Sequence, residues 1–109
     1  MLGANSKQLS ATEEKTVQRA LQEAHQREIS ALISHVRDRA ASLTEIGDLW
    51  YLHDLLSTKR YEIDGKYVYN SDTFVFDCAR LVQEGWLTLQ DLTGLPSETL
   101  SKVSALARM

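Results

Sequence analysis

Trp50, His53, Asp54, Ser57 and Tyr61 are the residues of this chain best equipped to do chemistry on another molecule. Read as a helix at roughly 100° per residue, they line up within about 100° of one another. An imidazole beside a carboxylate suggests acid–base work. Neighbouring side chains on a helix do not face each other, however, so His53 and Asp54 are expected to be separate hydrogen-bonding groups rather than a dyad. Large amphipathic rings and arginine dominate protein–protein hot spots. Arg60 flanks this face, where its planar guanidinium could hold a partner carboxylate through two hydrogen bonds. The chemistry indicated is recognition. Each residue also has a quieter reading. Trp50 could be core, Asp54 a solvated charge, His53 a solvated helix residue, and Arg60 half of an i,i+4 pair with Asp64. Tyr61 could pack between helices with its hydroxyl at the surface.

Catalytic chemistry has no comparable support. The sequence carries no Gly-rich phosphate loop, no paired-carboxylate cleft and no nucleophile with a positioned base. Cys78 is the only cysteine, which excludes an internal disulfide. Its apolar neighbours Phe74, Val75, Leu81 and Val82 predict a buried thiol. His25, His35 and His53 lack metal-ligand spacing, so no metal and no cofactor are expected. With a net charge of −3 and no basic run, the chain has little to offer nucleic acid or an anionic membrane. No window is long and apolar enough to span a bilayer. The N-terminus lacks a signal or transit pattern, so a cytoplasmic location is expected.

These residues need elements to position them, and the hydrophobic pattern supplies helices. A chain of 109 residues, 43% hydrophobic and 25% charged, is expected to form one domain spanning residues 1–109. Residues 1–9 are polar, aperiodic and expected to be frayed. Ser10 and Glu13 form a capping box opening a long helix to about Ala41, roughly 48 Å at 1.5 Å per residue. Val17, Ala20, Leu21 and Ala24 make one apolar stripe on it. Ile29, Leu32, Ile33, Val36 and Ala40 make a second, roughly 100° further round. The two halves should therefore meet different partners. A small chain cannot cover so long a helix, so Ile29, Leu32, Ile33 and Val36 are the expected seam with a second copy. The alternative is that the C-terminal helices fold back onto it.

Ser42 and Glu45 suggest another capping box, and the helix that follows should end near Asp64 with Gly65 as its left-handed cap. Its stripe of Leu49, Leu52, Leu56 and Ile63 is the expected core face. From about residue 70 a compact head follows. It comprises a helix from about Asp72 to Glu84 capped by Ser71 and closed by Gly85, a helical turn at Thr88–Leu92, and a last helix capped by Ser97. Phe74 and Phe76 stand two apart and cannot share a face, so one should be core and the other exposed. The fold class is all-α: a long N-terminal helix, a second helix and a helical head, assembled as a homodimer.

Trp50, the His53–Asp54 pair, Lys59–Arg60, the segment EIDGKY ending at Tyr67 and the closing SKVSALARM (Ser101 to Met109) together resemble the fluorescence recovery proteins of cyanobacteria. The likeness is dense from about Gly47 to Lys66 and over the last nine residues, and thins between Val68 and Asp77. It implies a dimer carrying no pigment or metal. The implied partner is the orange carotenoid protein, bound in its red, light-activated form chiefly through its C-terminal domain and returned to the orange form. Quenching of phycobilisomes then ends. The resemblance adds Phe76 and Lys102 to the partner-binding residues, beside Trp50, His53, Asp54, Arg60 and Tyr61. It also allows peripheral association with the cytoplasmic face of thylakoids through the antenna. Two other readings of the same residues stay open: a dimeric helical adaptor for another protein, and a small enzyme using the His53–Asp54 face.

Overall fold

The structure, a computed structural model, describes residues 9–109. It is all-helical, with α1 (Ala11–Ala41), α2 (Ile46–Ile63), α3 (Phe74–Glu84), a 3-10 turn (Leu89–Leu92) and α4 (Ser97–Ala107). The described residues form no strand. The expected fraying of residues 1–8 lies outside the described residues. Leu9 departs from that expectation, since it is partly buried against the core.

The opening of α1 is as its sequence predicts. The Glu13 N–H donates to Ser10 Oγ at 3.1 Å, and the Ser10 N–H donates to Glu13 Oε1 at 2.8 Å. The expected Ser42–Glu45 box does not form. Ser42 closes α1 instead, its hydroxyl donating to the carbonyls of Asp38 and Arg39 at 3.2 Å each. Capping of α2 passes to Asp48, whose Oδ2 accepts from the Thr44 N–H, the Thr44 hydroxyl and the Glu45 N–H at 3.1 Å each. Free N–H groups at a helix start need an acceptor, and a carboxylate in the first turn supplies one.

In the head, α3 begins at Phe74 rather than Asp72, and Ser71 does not cap it. Asn70 Oδ1 accepts the Asp72 N–H at 2.8 Å, which folds the preceding residues into a turn. Gly85 closes α3 at φ 90°, a left-handed conformation that glycine adopts without steric penalty. Ser97 is the first residue of α4 rather than its cap. Pro96 holds the cap position, and no side chain caps that end.

Val17, Ala20, Leu21 and Ala24 of α1 are buried against Phe74, Cys78, Ala79 and Leu81 of α3, the head residues Leu87, Leu92 and Leu95, and Val103 of α4. The first stripe is thus covered by the head. The second is not: Ile33 is 48% exposed, and Ile29, Leu32 and Val36 are only half-buried. The expected core face of α2 is corrected in the same direction. Leu52 is buried and Ile63 half-buried, but Leu49 and Leu56 are exposed. The reason is geometric. The head folds onto the first half of α1, so among the described residues that side of α2 meets chiefly α1, which buries Leu52 and leaves Leu49 and Leu56 open. The radius of gyration is 17.2 Å, against about 13 Å for a compact chain of this length. The molecule is a rod with a head, 59 Å long and 26 × 24 Å across.

Candidate functional site

Helix α2 presents its aromatic and charged face to solvent. Trp50 is 57% exposed and Tyr61 85%, which settles both of the quieter readings against burial. Their exposure follows from the rod geometry, because the elements that could cover them are packed elsewhere. The Trp50 and His53 rings meet edge to face, with centroids 6.4 Å apart and planes at 89°. That arrangement suits ring quadrupoles and lends the pair some rigidity.

The expectation that His53 and Asp54 do not meet is corrected. His53 Nδ1 lies 3.3 Å from Asp54 Oδ1. Both side chains are largely exposed, and the side chain of Asp54 and the edge-packed ring of His53 turn toward each other. The pair stands in open solvent, with side chains 71% and 78% exposed, so its hydrogen bond is weak and is easily exchanged for one to a partner. Arg60 Nε lies 3.9 Å from Asp64 Oδ2 at the surface, a loose i,i+4 pair of small energetic value. Its guanidinium stays available to a second carboxylate.

Phe76 and Lys102 are placed elsewhere, on the head. Phe74 is core at 3% exposure and Phe76 is 63% exposed, the division their spacing requires. Phe74, Val75 and Phe76 of α3 face Lys102, Ala105 and Leu106 of α4 across a groove of about 400 Å³. Two helices pack side by side here, and the apolar residues on the outer edge of their seam remain uncovered. Lys102 Nζ lies 4.0 Å from Glu98 Oε2 at the rim. The structure therefore brings the seven expected partner-binding residues together in two groups, five on α2 and two on the head groove.

Cys78 is fully buried. Burial, helped by the Asp77 charge, pushes its thiol up to about 12, so it stays protonated and inert. Among the described residues no cluster of three His, Cys, Asp or Glu side chains could hold a metal ion. No helix among them is long and apolar enough to cross a membrane.

One polar cluster escaped the sequence reading. Glu28 of α1 is buried, and Lys66 Nζ donates to its Oε1 at 2.9 Å and to Glu84 Oε1 of α3 at 2.8 Å. The Tyr67 hydroxyl donates to the same Glu28 oxygen, and its ring stacks on His25 with centroids 4.7 Å apart. Burial alone would raise the Glu28 carboxyl, but the hydrogen bonds from Tyr67 and Lys66 outweigh it and hold it below the usual carboxylate range. Burial likewise opposes the Lys66 charge, and hydrogen bonds to Glu84 and Glu28 win, so its ammonium is held above its ordinary value. Burial and the Glu28 contact push the Tyr67 phenol up and keep it a donor. A signal did exist in the sequence. Glu28 continues the series Val17, Leu21, Ala24 at helical spacing, a carboxylate on a buried face.

A family model described as the photoprotection regulator fluorescence recovery protein matches residues 9–107. The chain is 41% identical over 100 residues to the fluorescence recovery protein of Synechocystis sp. PCC 6803, covering 92% of each. Among solved structures, the fluorescence recovery protein of Fremyella diplosiphon superposes with a TM-score of 0.88 at 48% identity. That of Synechocystis sp. PCC 6803 gives 0.89 at 40%. Each covers 94% of this chain and the whole of the solved one.

Proposed function

Because the chain belongs to the fluorescence recovery protein family, a family of photoprotection regulators, we propose that it acts on the orange carotenoid protein. It binds the red, light-activated form, chiefly through that partner's C-terminal domain, and speeds its return to the orange form. Quenching of phycobilisomes then ends and antenna fluorescence recovers. The chain supplies no cofactor and performs no covalent chemistry. Its place of work is the cytoplasm, at the thylakoid face where the antenna lies.

The observation that carries this reading is the exposed face of α2. Trp50, His53, Asp54, Arg60 and Tyr61 combine exposed rings with groups able to exchange weak surface contacts for those of a partner. They grip the C-terminal domain, while Phe76 and Lys102 at the head groove guide the remainder of the partner. Binding one state speeds relaxation only if the transition state is bound more tightly than the starting state. A rod that holds two separated domains near each other does this by raising their effective concentration.

The working form is a homodimer. Ile29, Leu32, Ile33 and Val36, continued by the exposed Leu49 and Leu56, make an apolar surface that the described residues leave open. Its burial by a second copy is favourable at roughly 25 cal/mol per Å².

A dark-recovery trace tests the function. An orange carotenoid protein is photoconverted to red, and its return to orange is followed by absorbance with and without this chain. Acceleration at substoichiometric dose is expected. Unchanged recovery with folded protein, across more than one variant of the partner, would overturn the assignment and leave a helical adaptor for another protein.

A further inference from the structure

Helix α2 and the head are joined by the residues between Ile63 and Phe74, and the middle of that connection turns inward. There Lys66 bridges Glu28 of α1 and Glu84 of α3, at 2.9 and 2.8 Å. Arg80 Nε holds the other Glu84 oxygen at 3.0 Å. Tyr67 adds its hydroxyl to Glu28 and its ring to His25. The side chains of Glu28 and Lys66 are only 8% and 9% exposed, and among the described residues no other ion pair buries both of its partners so deeply. Two acids and two bases leave the cluster neutral, so it holds its members without a net buried charge.

Its position is informative. Glu28 follows Ala24, where the head-covered stripe of α1 stops, and precedes Ile29, where the uncovered stripe begins. The apolar core already fixes the head on α1. Helix α2 is held far less firmly, with Leu52 its one buried residue and the Arg39 guanidinium 4.7 Å above the Tyr51 ring near its start. Toward its far end Leu55, Lys59 and Ile63 are half-buried, and the connection that follows, just past Arg60 and Tyr61, is held to α1 and α3 through Lys66 and Tyr67.

We propose that Glu28, Lys66, Tyr67 and Glu84 form a latch that sets the spacing between the α2 face and the head groove, and so act as positioning residues for the relaxation of the partner. The inference rests on the functional reading above for what the two surfaces do. Its structural half stands without it. A two-handed grip raises effective concentration only when its spacing matches the target, and a loose linkage forfeits the gain without weakening either hand.

The test uses the full chain with Thr58→Cys and Ser101→Cys, two exposed positions outside both surfaces, carrying spin labels. Cys78 is buried and needs no removal. Labelled protein is diluted with unlabelled protein so that distances within one chain are read. Glu28→Gln with Lys66→Met removes both buried charges together, leaving neither unpaired. Tyr67→Phe is the milder second variant, and circular dichroism checks that both retain their helices.

Either variant is expected to broaden the α2-to-head distance distribution and cut acceleration of recovery at least fivefold. Affinity for the partner's isolated C-terminal domain should change less than twofold, a split that general destabilisation would not produce. An unchanged distance distribution in both variants overturns the latch, whatever the partner does. Broadened distances with undiminished acceleration overturn its positioning role. If the parent protein itself fails to accelerate recovery, the functional reading has failed, and the distance measurement still decides the latch.

Discussion

At the scale of single residues, the rings and charges of α2 are legible because exposure can be inferred from helical phase. Trp50 falls opposite Leu52, which is buried, and is itself exposed. Truncating such a ring in a protein interface costs about 2 kcal/mol or more, roughly 30-fold in affinity. Trp50→Ala and Arg60→Leu are each expected to slow partner recovery by about that factor at limiting concentration, with helix content unchanged. Recovery at the parent rate in both would remove these residues from the grip. What phase could not supply was contact between neighbours. The His53–Asp54 hydrogen bond depends on side-chain rotation, and the ties of Glu28 to Lys66 and Tyr67 join residues 38 and 39 positions apart.

At the scale of elements, helix existence was easier to read than helix ends. The Ser10–Glu13 box and the Gly85 stop are local chemistry and came out as expected. Ser42, Ser71 and Ser97 each resemble a cap, yet the structure uses Asp48, the Asn70 turn and Pro96 at those places. A serine offers the same hydroxyl to the end of one helix or the start of the next, and tertiary context decides. The two stripes of α1 make separable predictions. Leu81→Ala empties a fully buried site under the first stripe and should destabilise the fold by about 2–5 kcal/mol in denaturant titration. Ile33→Glu alters the uncovered second stripe and should leave the chain folded but monomeric. Persistence of a dimer at micromolar concentration, by light scattering, would refute that seam.

At the scale of the whole molecule, electrostatics frame the conditions under which rod and head stay joined. Despite burial, Glu28 is held below the ordinary carboxylate value by hydrogen bonds from Tyr67 and Lys66, and Glu84 by those from Lys66 and Arg80. Asp91, hydrogen-bonded by Arg27 and the Thr88 backbone, is held down at about 2. A depressed carboxylate stabilises the fold above its unfolded value and loses that contribution as pH falls through its folded value. Lys66 is raised, so its contribution is full below its unfolded value and is lost as pH rises through its folded one. Tyr67 titrates in the same sense, while Arg80 and the stacked His25 complete the charged and titratable surroundings. Thermal melts should therefore show a plateau through neutral pH and a falling midpoint below about pH 4. In the Glu28→Gln, Lys66→Met variant the acid decline should be shallower. An equally steep decline would assign acid sensitivity to other carboxylates.

The change of face along α1 has a consequence for inheritance. Residues up to Ala24 answer to the head, those from Ile29 onward to whatever covers the open stripe, and Glu28 stands between them. A single helix thus carries two nearly independent sets of obligations. Substitutions before the boundary should be compensated at Cys78, Leu81 or Val103, and those after it at the surface of the proposed second copy. Lineages can then retune the proposed assembly without disturbing the head, and the head without disturbing the open stripe.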